Sequence, residues 1–274
     1  MIFIDAHVHF YDSFDLIEAF GHAFSNFNSI SAQISAGNNY ECIIFLTETE
    51  GNKYFDIISH LASENTLNDN EFLTKFKITF TEETNSLVIT ELDFGKKIYV
   101  VAGKQIVTKE NLEVLALGQY EPVKSGDSIN DTIKVVIENG SIPVVPWGVG
   151  KWLGKRGKIV ENLIKQRKFI SLFLGDNSNR PFFWPKSKLF SFAEKAGINN
   201  LQGSDPLPFN GEAFRIGSFG SFIDASMDDL NFPFKSIKKI LLDVNININE
   251  YGKLEKLIKS IKNQLNMQLV KHSK

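Results

Sequence analysis

The sequence predicts an α/β fold: a TIM-like (β/α)7–8 barrel in one domain, residues 1–274, with an antiparallel hairpin excursion over 75–118 and C-terminal helices over 236–270. Three observations predict it. Short runs rich in β-branched residues recur along the chain and are apolar on both faces, as strands buried in a parallel sheet are. Amphipathic stretches separate most of them, which is the rhythm of βαβ units. The length, 274 residues, is ordinary for one such barrel and buries a large core without staples.

Taken in order, Ile2-Phe3-Ile4 is the first strand. Residues 15–27 follow as a helix with Leu16, Ile17, Phe20 and Phe24 on one side. Strands are expected over 42–46, 98–102, 142–145, 169–174 and 200–202. Helices are expected over 132–138, 159–168 and 187–195, with Gly140 and Gly197 suited to end two of them in the left-handed conformation. Residues 75–81 and 86–90 alternate around Glu82-Glu83-Thr84-Asn85, and 112–117 is another strand candidate; together they interrupt the helical rhythm. From Ser236 onward Ile240, Leu241, Leu254, Leu257, Ile258, Ile261 and Leu265 form a helical stripe on a lysine-rich background, read as helices packed on the barrel.

Composition narrows the function classes. The net charge of −2 provides no global attraction to nucleic acid or to an anionic membrane, so neither is expected as a partner. No stretch approaches the ~20 apolar residues that span a bilayer, and Met1 to Asp5 lacks a basic signal-peptide start. The single cysteine, Cys42, sits in an apolar run as a small core residue, and a cytoplasmic location is expected. His22 and His60 fall within helical stretches and are read as surface or packing residues.

The chemistry concentrates at strand ends. Asp5-Ala6-His7-Val8-His9 follows the first strand directly. Side chains of a strand alternate, so His7 and His9 project to one side and both imidazoles can reach one ion. In parallel barrels function collects at the C-terminal ends of strands, where this pair lies. Leu201-Gln202-Gly203-Ser204-Asp205 is the second feature: two small residues, then a carboxylate placed to ligate a metal or act as a general base. Two polar loops are candidates for substrate contacts, the other readings being a solvated loop for the first and plain turn chemistry for the second. Gly148 to Gly157 opens a helix and carries Lys151, Lys155 and Arg156, suited to an anion. Gly175-Asp176-Asn177-Ser178-Asn179-Arg180 ends another strand and contributes Asp176, Asn177 and Arg180.

These residues carry a resemblance. Ile4 to His9 resembles the opening motif of the amidohydrolase and PHP (polymerase and histidinol phosphatase) families, and Gly203-Ser204-Asp205 resembles the closing motif of PHP domains. Ala102 to Ile106, then Asn111 to Gly118, is similar to the PHP segment that joins a Gly-x-Glu strand end to a short strand. The resemblance spans roughly residues 2 to 210 and implies a distorted barrel that uses metals to activate water against phosphate esters or amides. The chain departs from the family at four places. Thr47-Glu48-Thr49 replaces Thr-Asp-His; Gln105 stands where the family has a metal-binding Glu; Trp147 and Leu207 stand where it has histidines.

The expected centre is therefore mononuclear: one divalent ion (Zn, Mn or Fe) on His7, His9 and Asp205, with Glu48, Glu50 or Asp176 as further oxygen ligands. Asp205, Lys151 and Arg180 are the catalytic candidates. Lys151, Lys155, Arg156, Asn177, Arg180 and Gln105 are the substrate contacts. The expected function is hydrolysis of a small anionic substrate, a phosphoester before an amide, by a metal-activated water. The alternative is a catalytically degenerate PHP-like barrel that binds a ligand or a partner.

Overall fold

The computed structural model describes residues 1–37, 39–63, 71–166 and 171–272. Strand β1 (Ile2–Val8) leads into helix α1 (Leu16–Gln33), which begins where the Asp15 carboxylate accepts the Glu18 N–H at 2.9 Å. Then come β2 (Glu41–Leu46), α2 (Tyr54–Ser63), α3 (Glu71–Lys75), β3 (Phe76–Phe80), β4 (Ser86–Glu91), β5 (Lys97–Val101), β6 (Gly103–Val107) and β7 (Glu113–Leu117). The second half runs α4 (Ile129–Glu138), β8 (Ile142–Pro146), α5 (Gly154–Lys165), β9 (Phe173–Asn177), α6 (Lys188–Lys195) and β10 (Asn200–Gly203). After a short 3-10 turn (Ala213–Arg215) the chain forms β11 (Phe219–Ile223), α7 (Pro233–Leu241), β12 (Asn249–Gly252) and α8 (Leu257–His272). Helices α4 and α6 end on Gly140 and Gly197, both with positive φ as their αL caps require. No helix among the described residues is long and apolar enough to cross a membrane.

The fold is mixed α/β, but the expected single barrel is divided into two sheets. Seven strands order β12-β11-β1-β2-β5-β4-β3 and five order β10-β9-β8-β7-β6. Parallel pairing holds for β1-β2, β2-β5, β8-β9 and β9-β10. Residues 75–118 provide the antiparallel pairs β3-β4, β4-β5 and β6-β7, while β5 itself lies parallel to β2. The expected strand over 169–174 starts later, at Phe173, and residues 167–170 of that stretch lie outside the described residues. The tail differs more. Between α7 and α8 lies β12, paired antiparallel with β11, and β11 pairs antiparallel with β1; these strands are short and carry no repeating apolar pattern.

Three apolar layers hold this together. One face of the larger sheet packs on α1 and α2 through residues such as Phe20, Phe24, Phe55 and Ile58. The outer face of the smaller sheet packs on α4, α5 and α6 through Ile133, Val160 and Phe190. Between them Ile4, Phe45, Val101, Leu115, Val144 and Leu201 meet in one interior drawn from both sheets. The sheets touch along two seams. At one, the Glu48 N–H donates to the Gly103 carbonyl at 3.0 Å, and the Gln105 N–H to the Glu48 carbonyl at 2.8 Å. At the other, the Asp205 N–H donates to the His7 carbonyl at 2.7 Å. A glycine stands at each seam because nothing larger fits. A Cβ on Gly103 would lie 2.2 Å from the Leu46 carbonyl oxygen, and one on Gly203 2.3 Å from the His7 nitrogen.

Candidate metal centre

The site begins with a defect in β1. Ile2, Ile4 and Ala6 face the interior between the sheets, and strict alternation would put Val8 there too, with His7 and His9 on the opposite face. The β1-β2 register shifts between Asp5 and Val8, and Val8 packs outward with Phe3. This bulge reverses the phase and turns the histidines inward. Their Nε2 atoms end 3.0 Å apart.

Asp205 meets them from the second seam. Its backbone adopts φ 47°, a left-handed conformation that aspartate tolerates better than most residues. Its Oδ1 lies 3.5 Å from His7 Nε2 and 3.7 Å from His9 Nε2. Asn179 holds this turn, its Nδ2 donating to the Asp205 carbonyl at 2.6 Å. Asp5 ties the two ends together from beneath. It is fully buried and accepts the Ser204 and Gly217 N–H groups at 2.8 Å each. Burial pushes its carboxyl up to about 7, against the pull of these donors.

Electrostatics favour a cation at this point. Burial, helped by the neighbouring His7, pushes the His9 imidazole down to about 3, so its ring is neutral and offers lone pairs. Burial alone raises Asp205, but the two histidines, Asn179 and Lys151 outweigh it and hold the carboxyl below its usual range. Two imidazole nitrogens and one carboxylate oxygen thus converge, all within 4.8 Å of one another. Ligands ~2.0–2.1 Å from a tetrahedral ion stand roughly 3.3 Å apart, close to the spacing seen here. The donor set therefore fits a divalent ion. Gln105 Oε1 lies 3.3 Å from His7 Nε2, beside the cluster.

The remaining expected ligands lie away from the cluster. Glu48 caps α2, accepting the Phe55 N–H at 2.7 Å, and pairs with Lys104 at 2.6 Å. It faces a separate cavity of roughly 690 Å³, shared with Glu50 and meeting the metal site only at Gln105. Asp176 is gripped by Arg180, whose Nε and Nη2 donate to both carboxylate oxygens, the closest at 2.7 Å. The pair is buried and borders neither cavity. Asp176 and Arg180 thus satisfy each other rather than a metal or a substrate.

The substrate contacts also divide. Lys151, Gln105 and Asn177 line the cavity of about 280 Å³ over the cluster, with Lys151 paired to Glu113. Lys155 and Arg156 do not line it. Lys155 is exposed on α5, and Arg156 braces the glycine loop by donating to the Gly150 and Asn111 carbonyls at 3.0 and 3.3 Å. Sequence reasoning missed Tyr11, Asn179, Ser260 and Asn263, which also line the cavity. Tyr11 lies two residues beyond His9, so the strand-end alternation that singled out His7 and His9 also points to it. Burial, with Asp205 and Glu113 nearby, pushes its phenol well up and keeps it a proton donor. Nothing in the local sequence marked Ser260 or Asn263.

Fold and site together define a mixed α/β protein with a His-His-Asp cluster able to hold a metal ion, its histidines buried and its aspartate partly exposed. No protein-family model matches the chain, and no curated protein does. Solved structures do share its fold. PsfC from Pseudomonas syringae PB-5123 aligns with a TM-score of 0.52 at 12% identity over 99% of this chain and 98% of its own. The lesion-specific endonuclease PfuEndoQ from Pyrococcus furiosus aligns with a TM-score of 0.50 at 11% identity over 90% of this chain. This chain covers only 57% of that protein. A complex of Endonuclease Q with a 27-mer duplex carrying an abasic lesion gives 0.49 at 11% identity, over 95% of this chain and 66% of that one. The expectation that excluded nucleic acid does not stand, because a fold-sharing neighbour is an endonuclease. Net charge was the wrong guide: contact with a polyanion depends on charge near the site, not on the sum over the chain.

Proposed function

We propose that the protein is a metal-dependent phosphoesterase of the PHP-like type, its two sheets forming an interrupted version of the barrel of that family. One observation carries this reading: buried His7 and His9 and partly exposed Asp205, from chain segments nearly two hundred positions apart, converge with ligand spacing. A divalent ion bound there, Zn²⁺ or Mn²⁺ before Fe²⁺, would supply Lewis-acid activation of water and of a phosphoryl oxygen. The chain's own residues do the rest. Asp205, kept ionised, accepts a proton; Lys151 positions the anionic group; Asn177, whose Nδ2 donates to the Trp147 carbonyl, braces the cavity wall; Tyr11 remains protonated as a donor; Trp147 limits water at that wall. The endonuclease neighbour supports nucleic-acid phosphodiesters as the first substrate class to try.

The test is metal content and turnover of the full chain. One ion per chain is expected, lost in His7→Ala and Asp205→Ala, together with Mn²⁺-dependent cleavage of oligonucleotides or generic phosphodiesters. A wild-type chain that holds no metal and takes up none by titration refutes the proposal. The second reading, a degenerate ligand-binding descendant, draws on the commitment of Glu48 and Asp176 to Lys104 and Arg180. Metal uptake without any turnover supports it, and turnover abolished by His7→Ala excludes it.

A further inference from the structure

Helix α8 is turned the wrong way round for a helix that merely packs. Ile258, Ile261 and Leu265, spaced to share one face, are 83%, 53% and 62% exposed. Ser260 and Asn263, on another face, are 5% and 6% exposed and line the cavity over the histidine cluster. The hydrophobic effect favours the opposite orientation, so something other than apolar burial fixes this one. Asn263 Nδ2 is itself buried without a hydrogen-bond partner among the described residues. Buried donors are nearly always met, and Asn263, whose side chain borders the cavity, meets its own by a small turn of the amide toward what enters there. On the same cavity Asn179 Oδ1 is also unpartnered, while its Nδ2 holds the Asp205 turn.

We infer that α8 supplies a substrate-positioning residue: Asn263 Nδ2 donates to a phosphoryl oxygen of the ligand, across the cavity from His7, His9 and Asp205. The phosphoryl identity rests on the proposed function; the presence of an acceptor rests on the orphaned donor and the inverted helix. An amide donor suits this place. It binds an anionic oxygen without adding a charge that would repel a cation at the cluster, and Lys151, on the same cavity, is paired with Glu113.

Inorganic phosphate is titrated into the full chain, bare and metal-loaded, for the wild type, Asn263→Asp and Asn263→Leu; metal uptake is measured separately in each. Both substitutions keep the side chain's branched shape and remove the donor. Phosphate affinity is expected to fall roughly tenfold in Asn263→Leu and further in Asn263→Asp, with metal uptake unchanged. Equal phosphate affinity in the three proteins, or no phosphate binding by the wild type, overturns the inference. A wild type that takes up no metal but whose phosphate binding still depends on Asn263 removes the hydrolase reading and keeps the anion subsite.

Discussion

Two buried residues at the end of β1 titrate in opposite directions, and their opposition is measurable. His9 is held neutral down to about 3, while a histidine in the unfolded chain titrates near 6.5. Between those values the unfolded state binds the extra proton, so His9 makes stability rise with pH. Asp5 is protonated up to about 7 in the folded state against 3.8 unfolded, so between those values it makes stability fall with pH. Where the windows overlap, the two contributions offset, each at ~1.4 kcal/mol per pH unit. Urea midpoints of the wild type should vary little from these residues between pH 4 and 6.5. His9→Gln should leave the falling slope, and Asp5→Asn the rising one; the same slope in both variants would contradict these protonation states. Gln105 carries a second expectation. Its Oε1 already lies 3.3 Å from His7 Nε2, so Gln105→Glu would place a carboxylate where a neutral amide now sits. Metal affinity should rise roughly tenfold. Unchanged affinity in a competition titration would place Gln105 outside the reach of the ion.

At the scale of elements, the site depends on how closely β10 approaches β1. Gly203 has no space for even one carbon, because the obstruction is His7 backbone rather than a flexible side-chain tip. Gly203→Ala should cost about 1–3 kcal/mol by overpacking and pull Asp205 away from His7. Metal uptake should then fall even where circular dichroism shows the fold retained. Asp176→Asn tests the β9 loop differently. It strands the Arg180 guanidinium in a buried position, and about 3–5 kcal/mol of stability should be lost with metal uptake intact. Loss of metal with stability unchanged would restore Asp176 as a ligand. The contrast shows what sequence could reveal about elements. A carboxylate at a strand end was legible at both Asp176 and Asp205, but the sequence read Arg180 as a substrate contact, and only the turn after β9 brings it onto Asp176. The β1 bulge was not legible at all: period-two counting assigned His7 and His9 to one face but could not say which face, and only the register shift turned them inward.

For the whole molecule, strands with strong apolar runs were legible, while β11 and β12 were hidden: β11 is short and its apolar residues are broken by Gly220 and Ser221, and β12 is a short polar edge strand. The division into two sheets was equally hidden, since how the sheets meet is decided by a few backbone hydrogen bonds and two glycines. The largest departure concerns the tail. Its apolar stripe suggested packing onto the core. Leu241 and Ile240 on α7 do pack there, but Ile258, Ile261 and Leu265 on α8 are exposed, and the helix joins an ion cluster through Lys259. Buried Arg215 pairs with Glu255 and lies 3.5 Å from Glu212, while Lys259 on α8 reaches Glu212 at 3.1 Å and Glu255 at 3.6 Å. Arg215 also bonds Ser178, whose hydroxyl donates to the Ser204 carbonyl at 2.6 Å, so the clamp ends one residue before Asp205. Removing the arginine leaves two buried carboxylates with only a half-exposed lysine, a loss of about 3–5 kcal/mol. Because Ile258, Ile261 and Leu265 are exposed and do not back it up, that loss should appear first as local release of α8. In Arg215→Met, limited proteolysis should cut within residues 256–272 well before the rest of the chain, and phosphate binding should weaken as Asn263 leaves the cavity. Metal uptake should persist, since all three ligands lie on other elements. Equal protection of α8 in the variant and the wild type would show that packing, not this ion cluster, holds the helix over the site.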